Sequence, residues 1–343
     1  MSAVIYPWNA TLFSSLLARH ERQQLAHALL ISGMPGLGKR QLAREFAASL
    51  LCQQANAQSG ACQQCKSCQL LAADAHPDYL SIAAEKTGAA IVIDQIRQLT
   101  QFAALKSQLG GVQVVVIEDA QRMNRNAANA LLKTLEEPNE NLYLLLLSDA
   151  IQSLLPTIRS RCQHYRIGVP DHQAQLHWLT EARPGHTSES LQQALSLAYG
   201  APELALAYLD EHLPAQHEQH LALFLALSQA RISAIEVANA WNHGDFHHNL
   251  QWLYAWVVDL IRLKSGLHVA DKYREALLTE LERVAHDLDI DALFYYHQQI
   301  IAALRLQHTQ VNQQLLIERL LILWHNLCAG SVVRSAITAL GLT

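Results

Sequence analysis

A chain of 343 residues, half of them hydrophobic and 16% charged, is long enough for two or three domains, each with its own core. A net charge of -5 excludes binding to nucleic acid through an overall basic field, so any such contact has to come from a local patch or a partner. No basic stretch leads into a long apolar run at the N-terminus, and the apolar run at 142–147 is far shorter than the roughly 20 residues of a membrane helix. The expected compartment is the cytoplasm.

In chain order, residues 28–32 form an apolar run that stops at Gly33, and 79–83, 112–117, 142–147 and 164–167 are further strand candidates. Helical spacing fills the gaps at 40–51, 94–107 and 126–137, the last ended by Pro138, which has no N–H to donate. Short apolar strands alternating with helices predict a parallel sheet covered on both faces. Beyond Val169-Pro170 the strand signals stop. Residues 171–210 read as three short helices broken at Pro184-Gly185 and Gly200-Ala-Pro202, and 211–343 is helical throughout, with 3.6-residue apolar spacing at 221–227, 250–263, 274–288 and 312–327.

Between the first strand and helix lies Gly33-Met-Pro-Gly-Leu-Gly-Lys39-Arg40, a phosphate-loop pattern in the context that such a loop requires. Gly33, Gly36 and Gly38 let backbone N–H groups turn inward on phosphate oxygens, the helix N-terminus adds a favourable dipole, and Lys39 is placed to reach the terminal phosphates. The next position, where a hydroxyl would ligate magnesium, is Arg40, a cation that cannot. At the end of the 112–117 strand stand Glu118 and Asp119, whereas an ATPase presents Asp and then Glu. The swap displaces both carboxylates by about a methylene, which catalysis tolerates poorly. Loop shape is retained and hydrolysis is disfavoured.

Cys52, Cys62, Cys65 and Cys68 supply the four thiolates of a closed tetrahedral zinc site, with no position left open for water, so a structural zinc is expected. Disulfides and an iron–sulfur cluster are the alternatives. Cys162 and Cys328 are isolated and read as buried thiols.

These motifs, with Asn129-Ala-Leu-Leu-Lys-Thr-Leu-Glu-Glu-Pro138 and Thr157-Ile-Arg-Ser-Arg-Cys162, resemble the clamp-loader subunits of bacterial DNA polymerase III over nearly the whole chain. The resemblance implies an α/β AAA+-type P-loop domain with a parallel sheet at 1–168, carrying the cysteine insertion at 52–68. A small helical lid domain at 169–210 and an all-α collar and oligomerisation domain at 211–343 would follow. It looks like a non-motor member, because the place of the lid arginine that senses the terminal phosphate is taken by Glu203 in Gly200-Ala-Pro-Glu-Leu-Ala-Leu206. The family's Ser-Arg-Cys element falls on Ser160, Arg161 and Cys162, which implies that Arg161 is an arginine finger reaching the ATP of a neighbouring subunit. Pairing with a local carboxylate is the alternative. Implied partners are the gamma/tau motor subunits and the delta subunit in a hetero-oligomeric ring and, through the complex, the sliding beta clamp and primer-template DNA. ATP and magnesium would be held at the neighbour's site, with no independent ATPase activity in this chain.

An active clamp-loader ATPase of the motor kind, a different P-loop enzyme and a zinc-dependent DNA-binding module are the rival readings. The stretch Asn242-His-Gly-Asp-Phe-His-His-Asn249 is expected to be a solvated loop, and Trp241, Trp252 and Trp256 to be core or interface.

Overall fold

The computed structural model describes residues 5–56, 60–86, 89–242, 246–269, 275–306 and 312–330. Contacts divide the chain into two units, one of Met1–Gly185 with Ala198–Leu206, the other of His186–Leu197 with Ala207–Thr343.

The first unit is built on β1 (Ala28–Ser32), β2 (Tyr79–Ile82), β3 (Gln113–Ile117), β4 (Leu142–Ser148) and β5 (Gln163–Arg166). All pair in parallel, in the order β2-β3-β4-β1-β5. β1 and β3 are buried along their whole length, as strands covered on both faces must be, which is why 28–31 and 114–117 read as continuous apolar runs. Around them lie α1 (Ala10–Glu21), α2 (Lys39–Leu51), α3 (Lys66–Ala72), α4 (Ile93–Ala104), α5 (Arg125–Glu136), the single turn α6 (Pro156–Arg159) and α7 (His172–Ala182). Asn124 caps α5 by accepting from Ala127 N at 2.9 Å, and Asp171 caps α7 through Ala174 N at 2.9 Å, each satisfying an otherwise orphaned donor. One core joins Leu30, Val115, Ile117, Leu144 and Leu146 of the sheet to Leu131 and Leu135 of α5 and Ile158 of α6.

α4 stops three residues short of the expected end. The loop beyond it instead wraps the buried Asp78 carboxylate, which accepts from Ser107 Oγ (2.9 Å), Gln108 N (2.7 Å) and Leu109 N (3.0 Å). A buried carboxylate needs such partners, and satisfying it costs the helix its last turn.

The second unit is helical. Its elements are α8 (Ser188–Leu197) and then, beyond α9 (Pro202–Asp210), which starts within the first unit's segment, α10 (Leu213–Ser228), α11 (Ala234–Trp241), α12 (Phe246–Lys264), α13 (Glu275–Asp287), α14 (Ile290–Leu306) and α15 (Gln313–Cys328). Its core is aromatic. Phe224 stacks on Trp324 with centroids 4.6 Å apart, Tyr296 lies 4.9 Å from Trp324, and Trp241, Trp256 and Trp324 are fully buried. Two of these three indoles find acceptors, Trp256 Nε1 on His217 Nε2 and Trp324 Nε1 on Ser228 Oγ, both at 2.8 Å, whereas Trp241 Nε1 has none among the described residues. The tryptophans are thus core residues, as their spacing indicated. The expected loop at 242–249 is corrected in part: helix α12 takes in Phe246 through Asn249, because Asn249 turns inward to bond His220 and the carbonyl of Trp241. Residues 243–245 of that stretch, and Arg274 at the start of the expected helix over 274–288, lie outside the described residues.

Candidate functional site

β1 delivers the chain to Gly33, and α2 starts at Lys39, so the loop between them has the expected strand-to-helix setting. Gly36 and Gly38 adopt φ of +73° and +76°, a conformation that glycine reaches without a Cβ penalty. The loop is crowded from outside. A Cβ on Gly36 would lie 2.5 Å from the Cβ of Leu204 on α9, and one on Gly38 would strike the ring of Tyr6.

Several polar groups of the cradle are already engaged. Glu203 Oε2 accepts from Gly38 N at 3.1 Å, Glu203 N donates to Gly36 O at 3.1 Å, and Tyr6 Oη donates to Glu203 Oε1 at 3.4 Å. Burial, followed by the nearby Glu203 charge, pushes the Tyr6 phenol up to about 12, so it stays a donor. Tyr6 is fixed in turn by stacking on Trp8 at 4.8 Å and by an edge contact with Trp178 at 5.2 Å. Trp8 Nε1 and Asn9 Nδ2 both donate to Leu37 O. The buried Lys39 ammonium donates to Gly33 O (2.8 Å) and Met34 O (2.6 Å) and pairs with Asp149 Oδ1 at 2.5 Å. A carboxylate therefore sits on the backbone donor that a phosphate would use, and the lysine already has an anion and two carbonyls.

Arg40 projects from the first turn of α2 across the acidic pair. Its Nε lies 2.8 Å from Glu118 Oε2 and its Nη2 3.3 Å from Asp119 Oδ2. Asp119 stands in the left-handed region at φ 51°, which aspartate tolerates, and Glu118 also accepts from Ser81 Oγ at 3.2 Å. A guanidinium thus occupies the two carboxylates a divalent ion would need. Gly33, Gly36, Gly38, Lys39, Glu118 and Asp119 are brought together as expected. Tyr6 and Asp149 were not foreseen. Position after an apolar strand could have drawn attention to Asp149, whereas nothing local in the sequence marks Tyr6.

Arg161 lies elsewhere, just past α6. Its Nη2 pairs with Glu136 Oε1 at 2.6 Å and its Nη1 donates to Thr157 O at 2.9 Å. Ile158 and Cys162, on either side of it, pack into the sheet core. Burial pushes the Cys162 thiol up to about 12, so it behaves as a small apolar group.

Cys52 ends α2 and Cys65 caps α3. With Cys62 and Cys68 they place four sulfurs within 4.8 Å of one another, Cys52 and Cys65 at 3.9 Å. Tetrahedral zinc with bonds of about 2.3 Å needs sulfurs about 3.8 Å apart, so the cluster is close enough to hold a metal ion. Backbone N–H groups of Gln54 and Cys62 point at Cys52 Sγ, and that of Cys65 at Cys62 Sγ. Burial raises the Cys65 thiol, but backbone donors on Cys68 and Gln53 and thiol neighbours outweigh it and hold it at about 6. Ser67 ties the module down, donating to Leu51 O at 2.6 Å and accepting from His76 Nε2–H at 2.7 Å, the tautomer set by Asp78 N donating to His76 Nδ1.

No described helix is long and apolar enough to cross a membrane.

Residues 8–171 match the family model described as DNA polymerase III, delta subunit, and residues 211–326 match that of the same subunit's C-terminal region. The DNA polymerase III subunit delta' of Pseudomonas aeruginosa is 39% identical over 95% of this chain and 98% of its own length. The Escherichia coli subunit delta' is 32% identical over 96% and 98%. A gamma subunit-related protein of DNA polymerase III from Thermotoga maritima, of known structure, is 18% identical, with a TM-score of 0.45 over 91% of this chain and 99% of its own.

Proposed function

The chain belongs to the DNA polymerase III subunit delta' family, and we propose from that premise that it is the non-motor, stator member of a clamp loader. In this role it helps place the sliding beta clamp on primed DNA without spending ATP itself. The observation that carries the reading is the self-filled nucleotide site: Glu203 on Gly38 N, Asp149 on Lys39, and Arg40 on Glu118 and Asp119. Gly38 N, the Lys39 ammonium and the two carboxylates, groups that would meet a phosphate or a magnesium ion, meet side chains of the same chain instead. Binding Mg-ATP would require breaking these contacts and burying a second set of negative charges beside Glu203 and Asp149, which Coulomb repulsion opposes.

Arg161 supports the other half of the reading. On a rigid turn whose flanking side chains sit in the core, its guanidinium acts as an arginine finger that offsets charge on the transferring phosphoryl group of a neighbour's ATP, an effect worth about 10³ to 10⁵ in rate. Residues 169–210 serve as a lid and 211–343 as the collar that joins the gamma/tau and delta subunits. Cys52, Cys62, Cys65 and Cys68 hold a structural zinc that fastens the end of α2 to α3. The test is ATP turnover by the purified chain alone and by a clamp loader reconstituted with clamp and primed DNA. Turnover is expected only from the assembly, and magnesium-dependent hydrolysis by the isolated chain would refute the stator role.

A further inference from the structure

Glu136 is the last residue of α5, in the stretch where the chain runs Leu135-Glu136-Glu137-Pro138. Its carboxylate takes Nη2 of Arg161 at 2.6 Å while Thr157 O takes Nη1 at 2.9 Å. Acceptors on different elements thus fix a long, flexible side chain. Their separation is fixed as well. Leu131 and Leu135 of α5 share a core with Ile158 of α6 and with Cys162, and His27 Nε2 bonds the carbonyl of Leu135 at 3.1 Å, holding the end of α5 to the residue that precedes β1. The pair is only partly exposed on the arginine side and open on the glutamate side, and Arg161 Nη1 also lies 3.5 Å from Ser160 Oγ.

We propose that Glu136 is a positioning residue for Arg161, holding the guanidinium extended and oriented before it meets a neighbour's phosphates. The inference rests on the reading of Arg161 as a finger acting in trans. An arginine held in place loses less freedom when the transition state forms, so the benefit appears in turnover and not in ATP affinity. For an ion pair this exposed, the effect is about 1.5- to 5-fold.

The test uses the reconstituted clamp loader with clamp and primed DNA, reading kcat and KM for ATP. Glu136→Gln is expected to lower kcat about 1.5- to 5-fold with KM unchanged, and Glu136→Asp to recover part of the loss. In an Arg161→Ala background Glu136→Gln is expected to change nothing further, because the pair acts as one unit. A normal or raised kcat for Glu136→Gln, a further loss on top of Arg161→Ala, or failure of that variant to assemble by size-exclusion chromatography would overturn the proposal. If Arg161→Ala lowers turnover and Glu136→Gln does not, the positioning role alone falls. If Arg161→Ala leaves turnover unchanged, the finger falls and takes the positioning role with it.

Discussion

Removing the Glu203 carboxylate should open the phosphate cradle to nucleotide. In the native chain a phosphate can reach Gly38 N only by displacing a carboxylate 3.1 Å away. Breaking a charge-assisted hydrogen bond of that kind costs about 1.5–3 kcal/mol. A phosphate entering with Glu203 still about 4 Å off would instead meet about 4 kcal/mol of repulsion per unit charge at an effective permittivity near 20. The smaller cost sets the barrier, so Glu203→Ala should tighten ATP binding about 10- to 150-fold. The assay is fluorescence anisotropy of a labelled ATP analogue titrated with the full chain. Two controls locate the site: Lys39→Met in the Glu203→Ala background should abolish the gain, and Arg40→Thr in that background should make affinity depend on magnesium, because it frees Glu118 and Asp119. Equal ATP affinity for the wild-type and Glu203→Ala proteins would refute the reasoning.

Stripping the metal with a chelator should lower the unfolding temperature by several degrees, and elemental analysis of the native protein should give one zinc per chain, lost in Cys65→Ser. Burial holds the His220 ring neutral and lowers its pKa, while its bond to Asn249 opposes the shift only in part. The unfolded chain therefore takes up the proton first, so this contribution is complete above pH ~6.5 and fades as pH falls below it. Urea midpoints should drop between pH 7.5 and 5.5, and His220→Gln should flatten the slope. Trp324→Ala removes an indole packed on Phe224 and Tyr296 and bonded to Ser228. It should cost about 3–5 kcal/mol in denaturant unfolding of the chain.

The sheet was legible because β1 and β3 are covered on both faces and so are apolar but for Ser32 at the end of β1 and Gln113 at the start of β3. α1 escaped notice because it buries only Phe13, Leu16 and Leu17 of its 12 residues. The seven-residue α3 escaped because about two turns are too few for a helical period to show. The end of α4 was misjudged for a different reason, since Asp78, far back in sequence, gathers the loop that follows. In the nucleotide site the replacements at Arg40 and Glu203 are visible as residue types out of place. Their effect is tertiary. Only folding brings Glu203 onto Gly38 N across 165 positions and Tyr6 over both, and hydrogen bonds between such distant residues leave no local periodicity to read.

One comparison separates the two halves of the chain's proposed role: ATP turnover by the reconstituted clamp loader carrying either Lys39→Met or Arg161→Ala in this subunit. Near-normal turnover with the first and a large loss with the second are expected, since Lys39 is already spent on Asp149 while the proposed role of Arg161 is at a neighbour's site. The reverse pattern, loss with Lys39→Met and none with Arg161→Ala, would mean that this chain burns its own ATP.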